Sequence, residues 1–408
     1  MNAERLTRDL VLAHDDASAT REVYLRFLAS TWERYQRSGD PVVVAAVRRA
    51  LTRDVPRTLS CFASPTVGSA IHCADLAPAL PACAPRIALS IATLGPHLLV
   101  ELALRGLIGA EGIACAASAL TVPSLNVQLT LAAPCKLFDR RIEVGGETMT
   151  LDEAGLAAPP ACVHVEQTYH DVAGLTRFGL VDHNPISSFE AHPDKPGNAL
   201  DLGERPVHEW LQCLERAFAI ITAHLPEIVP EMKLLLHEIL PVGYHAERHL
   251  SASYREAIGT VYLTLHPDEL TLAEALVHEF QHNKVNALSH LAPLLDNAFS
   301  PLFPSPIRPD PRPLWGILLA AHAFLPVAVM YRRMRAAAHP RSVGPEFLRR
   351  LGEIDLKNHE AVRMLETHGR FTPLGSALMH DLSVLDRVHM AERRAEGLPT
   401  ETTSSHIG

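Results

Sequence analysis

The sequence predicts an α+β protein, predominantly helical, and three patterns lead there. Apolar residues recur at helical spacing through the first 55 residues and again over 86–120. Between 124 and 182 the period shortens to that of strands, around a Gly145–Gly146 turn. Past residue 257 a strand-like segment runs straight into a helix bearing a His-Glu-x-x-His string, and helix continues to Glu396. The expected architecture is a strand-then-HExxH-helix core, a helical N-terminal region and a small central antiparallel β region.

In order along the chain, Leu6, Leu10 and Val11, then Val23, Leu25, Phe27, Leu28 and Trp32, then 42–51 trace helical faces. Residues 56–85, rich in Pro, Cys and Ala, read as loops with short helices. The apolar stretch from Ile87 to Leu120 reads as one or two buried helices. Pro96, His97, Glu101, Arg105 and Glu111 interrupt it, so no run of the ~18 apolar residues that a membrane span requires is expected. After Pro123 come strands at 127–134 (VQLTLAAP), 140–152 (RRIEVGGETMTLD) and 163–182. Residues 183–206 are turn-rich and expected at the surface. Helix returns over 207–225 with Trp210, Leu214, Phe218 and Ile221 on one face, and 257–265 (AIGTVYLTL) reads as a strand. The expected division is a mainly helical region at 1–160 ending in a β-hairpin segment, an HExxH catalytic domain at 161–398 and a disordered tail at 399–408.

Composition narrows the function classes. Apolar residues make up 47% and charged residues 20%, which excludes a disordered chain. The net charge of −9 leaves no basic footprint for nucleic acid. The start is charged from Glu4 onward without an apolar core, so no secretory signal is expected. Seven cysteines, all within the first 213 residues, include no CxxC pair and are odd in number. They read as reduced thiols packed as small hydrophobes in a cytoplasmic protein. Histidine is abundant, at 23 residues, and invites a metal reading.

The sharpest feature is TLAEALVHEFQHNKVNAL at 271–288. Thr271 and Glu274 form a capping-box pattern that predicts a helix start near Leu272. His278 and His282, four apart, then share a helix face and can hold one divalent ion. Glu279 can reach a metal-bound water or act beside the ligands. The bland alternative is a pair of packed or surface histidines in a histidine-rich chain. A second pair, His245 and His249, lies in a polar stretch without helix signals and reads mainly as coincidence.

The usual HExxH chemistry is a zinc peptidase with the glutamate as general base. A third histidine at the spacing HExxHxxGxxH is absent, since Val285 and Leu288 stand there, and no glutamate lies between Glu279 and Glu346. The remaining third-ligand candidates are His290, Asp296, Asp310, His322 and His339. His322 is favoured, as a lone histidine in the apolar segment PLWGILLAAHAFLPVAVMYRRM, where Pro326 leaves its carbonyl without an i+4 donor. Asp296 would instead complete the two-histidine, one-carboxylate triad of non-haem iron oxygenases. Between the two helices, Arg308, Asp310 and Arg312 alternate with Pro309, Pro311 and Pro313. Such a stiff display suits an arginine clamp on a small dicarboxylate, or else a rigid surface loop with an Arg–Asp pair.

The segments LVHEFQHNKVNAL (276–288) and RPDPRPLWGILLAAHAFLPVA (308–328), with SASYREAIGTVYLTL (251–265) upstream, resemble the HExxH-motif peptide-modification family of ribosomal peptide natural product pathways. The resemblance is specific over residues 250–335, weaker over 165–230, and does not extend to the first 120. It implies an iron(II)- and 2-oxoglutarate-dependent oxygenase that uses O2 to hydroxylate a β-carbon in a precursor peptide. His278 and His282 would ligate Fe(II), Arg308 or Arg312 would bind 2-oxoglutarate, and Glu279 would stand beside the ligands rather than act as a base. The third ligand is not fixed by the resemblance. Two other readings stay open: a zinc metallopeptidase or hydrolase with Glu279 as base, and a non-catalytic peptide-binding partner.

Overall fold

The protein is described from a computed structural model that covers residues 11–12, 17–189, 197–306 and 310–399. The expected helical start at Leu6 and Leu10 and the tail at 400–408 lie outside these residues, as does Arg308. The fold is α+β and mostly helical, 54% helix with 17% strand. It forms two compact units. A sheet unit comprises Leu25–Glu215 and Leu235–Pro267, and a helical unit comprises Met1–Tyr24, Arg216–Leu234 and Asp268–Gly408.

The chain enters through α1 (Ser18–Ser38) and α2 (Pro41–Arg53), where Asp40 caps α2 by accepting from the amides of Val42 and Val43. Two shorter helices, α3 (Val55–Leu59) and α4 (Pro65–Cys73), occupy the stretch expected to be loops with short helices. Next comes α5 (Ala84–Leu104). Helix was expected as far as Leu120, but α5 closes at Arg105 because Gly106 takes a left-handed φ of +68°, and the chain turns to strand. Strands β1 (Ile113–Cys115) and β2 (Ala119–Val122) therefore precede Pro123. They are followed by β3 (Val127–Leu131), β4 (Cys135–Phe138), β5 (Arg141–Val144), β6 (Glu147–Asp152), β7 (Gly155–Ala157), β8 (Val163–Gln167), β9 (Tyr169–Val172) and β10 (Thr176–Gly179). The Gly145–Gly146 turn joins β5 to β6 as the sequence predicts. One antiparallel sheet has the order β1-β4-β5-β6-β7, and β2, β3 and β8 form another.

Helices α6 (Val207–His224) and α7 (Val229–Leu235) lead to β11 (Glu238–Tyr244), β12 (Ser251–Ala252) and β13 (Thr260–Leu265). The third sheet, ordered β12-β13-β11-β10-β9, is mixed, because β11 runs parallel to both β10 and β13. Strand β11 carries no sequence signal of its own: Pro241 and Gly243 sit inside it. Proline is tolerated because pairing with β10 ends at Ile239, and a register shift follows between Pro241 and Tyr244. Every residue of β13 is buried.

The helical unit continues with α8 (Glu269–Ser289), a short β14–β15 pair (Leu302–Phe303 and Arg312–Pro313), α9 (Leu314–Ala336), α10 (Pro345–His368) and α11 (Pro373–Ala395). Helix α9 runs through Pro326. By length and composition both α5 and α9 could cross a membrane, which the interrupted apolar stretch did not suggest, and 56% and 72% of their most apolar windows are buried.

Candidate metal centre

Helix α8 begins earlier than its capping-box pattern predicts. Asp268 is the N-cap and accepts from the Leu270 amide at 2.9 Å, so the helix starts at Glu269, three residues before Leu272. Glu274, freed from capping, instead accepts from Tyr331 of α9 at 3.0 Å and pairs with Arg350 of α10. A charged partner is the stronger attraction for a part-buried carboxylate. Beyond the motif, Lys284 places its ammonium 2.9 Å from both carboxylate oxygens of Glu231, and both side chains are 1% exposed. Thr20 donates to the same carboxylate. Helix α8 is thus anchored on both sides of its histidines.

Between these anchors three of the candidate residues come together. His278, Glu279 and His282 each offer a ligand atom within 4.8 Å of the others. The two imidazole centroids are 4.2 Å apart with the rings at 77°. Glu279 is buried and the histidines are half-buried. Loss of water around His282 pushes its pKa below the usual histidine value, while Glu279 opposes the shift. A lowered pKa favours the neutral imidazole, the form that binds a metal. His282 Nδ1 is out of water and has no hydrogen-bond partner among the described residues. Two imidazoles and a carboxylate at this spacing could hold a metal ion.

Phe324 of α9 lies against His278, with centroids 4.5 Å apart, and the Arg350 guanidinium sits 5.8 Å from the same phenyl ring. The sequence reading did not single out Phe324, Arg350 or Glu274 as site residues. Their association depends on how α8, α9 and α10 pack, for which a single chain read linearly carries no signal.

The other candidates are placed as follows. His322 is fully buried on α9 and does not belong to the group of three. Asp296 is exposed in the loop after α8, its amide donating to the Arg370 carbonyl at 2.8 Å. His290 is the C-cap of α8, and His339 caps a short 3-10 turn by accepting from the Arg341 amide at 3.3 Å. Arg312 forms an ion pair with Asp310, Nε to Oδ2 at 2.9 Å and Nη2 to Oδ1 at 3.2 Å, so its guanidinium is already engaged by a carboxylate of the chain. His249 belongs to the sheet unit, where burial pushes its pKa down to about 4 beside His266, and His245 is exposed.

Comparison with known protein families finds no model that matches the chain, and no curated protein matches it either.

Proposed function

We propose that the protein is a non-haem iron(II)- and 2-oxoglutarate-dependent oxygenase that hydroxylates a β-carbon of a residue in a ribosomally made precursor peptide. The observation that supports it most is the convergence of His278, Glu279 and His282 on one helix anchored on both sides of them. His278 and His282 would hold the ion. The third ligand would be His322, which lies outside the group of three that converges, and the Glu279 carboxylate is the group already within 4.8 Å of both histidines. The bound metal and cosubstrate supply the oxidising chemistry. What the chain contributes is placement: Phe324 packs against the His278 ring, and loss of water around His282 favours its neutral imidazole. Arg312 would bind 2-oxoglutarate by exchanging the Asp310 carboxylate for one of the cosubstrate's, a like-for-like swap of bidentate partners.

The test is metal analysis of the purified protein with a turnover assay containing iron, ascorbate and 2-oxoglutarate. Stoichiometric iron and succinate formation are expected. Zinc with no succinate would sink the proposal. It would favour the second reading, a zinc hydrolase, which draws its support from the Glu279 carboxylate lying within 4.8 Å of both histidine nitrogens, where a general base would stand.

A further inference from the structure

The sheet unit contains a cleft of about 560 Å³ that the metal reading does not use. Its walls come from α1, α2, α4 and α5, and its floor includes Ala114, Cys115 and Ala116. Ala114 and Cys115 end β1, and Ala116 follows it. Side chains of a strand alternate between faces, so Ala114 and Cys115 can line one cavity together only along the strand's edge. Among the described residues strand β1 is the outermost member of its sheet, paired with β4 alone. The Cys115 carbonyl accepts from Cys135 Sγ of β4 at 3.4 Å, which directs the Cys115 backbone toward β4. By alternation, the backbone groups of Ala114 point the other way, along the cleft. Both alanines are exposed.

The rim has the character of a binding surface. Val42 and Ile91, both lining the cleft, are 57% and 45% exposed, although both are branched apolar side chains. One end carries Asp40, Asp75 and Arg34, with Arg34 and Asp75 paired at 2.5 Å. Two carboxylates against one guanidinium leave that end net negative. An unpaired strand edge beside an apolar trough is the arrangement that takes an extended peptide by strand addition, with backbone hydrogen bonds for affinity and the trough for alternate side chains.

We infer that this cleft binds an extended peptide segment as an added strand on β1, apolar side chains in the trough and a basic residue toward Asp40 and Asp75. Taking that segment to be part of the substrate rests on the oxygenase reading. The chemistry of the cleft does not.

The experiment is fluorescence anisotropy of the full-length protein with a labelled decapeptide of alternating valine and threonine carrying a lysine at one end. A control peptide replaces alternate threonines with proline, which removes backbone donors and keeps the segment extended. Each lost backbone hydrogen bond costs about five- to tenfold in affinity, so the proline peptide is expected to bind more than about tenfold weaker. Ala114→Pro removes a donor on the open edge and spares the ladder to β4, so it should weaken the first peptide about five- to tenfold with unchanged circular dichroism. Ile91→Glu should weaken it as well. Equal binding of both peptides, wild-type binding by Ala114→Pro, or no binding would overturn the inference. So would a concentration-dependent dimer abolished by Ala114→Pro, since a second copy would then be the occupant of the edge. Peptide binding without succinate formation would count against the oxygenase reading alone. Turnover without peptide binding would count against the cleft alone.

Discussion

At the scale of single residues, the two histidines of the candidate centre and the buried ion pair make different demands. His278→Ala and His282→Ala should each abolish stoichiometric metal binding, read by elemental analysis of the purified variant. His322→Ala separates the candidates for the third position. Retained iron and normal turnover would pass that role to Glu279 or another group, and lost iron would confirm His322. Lys284→Met is a test of stability. It strands the Glu231 carboxylate in an environment with 1% exposure, and removing one member of such a pair costs about 3–5 kcal/mol. The lowered denaturant midpoint should be largely restored by adding Glu231→Gln, which removes the stranded charge. His278 and His282 were legible in the sequence because helical spacing alone places them on one face. The Lys284–Glu231 pair was not, since 53 residues separate its members and only the packing of α7 on α8 joins them.

At the scale of elements, caps and close approaches set the helices that carry the site. Asp268→Ala removes the side chain that accepts from the Leu270 amide, and such losses cost about 1 kcal/mol. Asp268 also pairs with Arg341 at 2.8 Å, so Asp268→Asn should keep the cap and lose only the weaker exposed pair. The two variants should therefore differ in thermal midpoint, with alanine the lower. At the start of α11, Gly375 packs so closely on the loop after α8 that an added Cβ would collide with the Leu294 carbonyl. Gly375→Ala should destabilise by about 1–3 kcal/mol, measurable by urea titration. The elements that alternate or repeat cleanly, such as the β5–β6 hairpin and α9, were readable beforehand. Strand β11 was not, because its proline and glycine are turn residues by local rule and are accommodated only by the neighbours it pairs with. The start of α8 was misplaced for a related reason: Thr271 and Glu274 fit a local capping pattern, but Glu274 finds Tyr331 and Arg350 instead.

For the molecule as a whole, buried titratable groups in both units set the pH range of stability. Burial, reinforced by His183, pushes His97 of the sheet unit down to about 3, and burial with Arg332 does the same to His389 of the helical unit. Unfolded, each titrates near 6.5. Above that pH both states are neutral and the contribution is complete. As pH falls toward 3, the unfolded chain takes up protons that the native state does not, and stability is lost at about 1.4 kcal/mol per pH unit per group. Glu238 acts in the opposite sense: burial raises its carboxyl to about 8, so its contribution declines as pH rises from 4.5 to 8. His183, His237 and His249 are pushed down by burial in the same sense, so the histidines outweigh the one carboxyl below pH 6.5, and above it the slope of the carboxyl remains. Urea midpoints measured from pH 4 to 8 should peak near 6.5, and a monotonic rise through pH 8 would contradict the assignment of Glu238. The α+β class was visible in the periodicities. The grouping of residues into two units was not, because chain segments distant in sequence return to each unit.

The thiols acquire a use from that grouping. None of the seven cysteines forms a disulfide, six are buried, and every one lies in the sheet unit. Burial pushes Cys61 and Cys73 up to about 12, so neither holds appreciable thiolate at neutral pH. Trp315, by contrast, belongs to the helical unit. Thiol-labelling kinetics therefore time the opening of one half of the chain by chemistry confined to it, while a variant retaining Trp315 as its single tryptophan times the other by fluorescence. The protein carries its own pair of clocks, and whether they agree decides if it unfolds in one step or two.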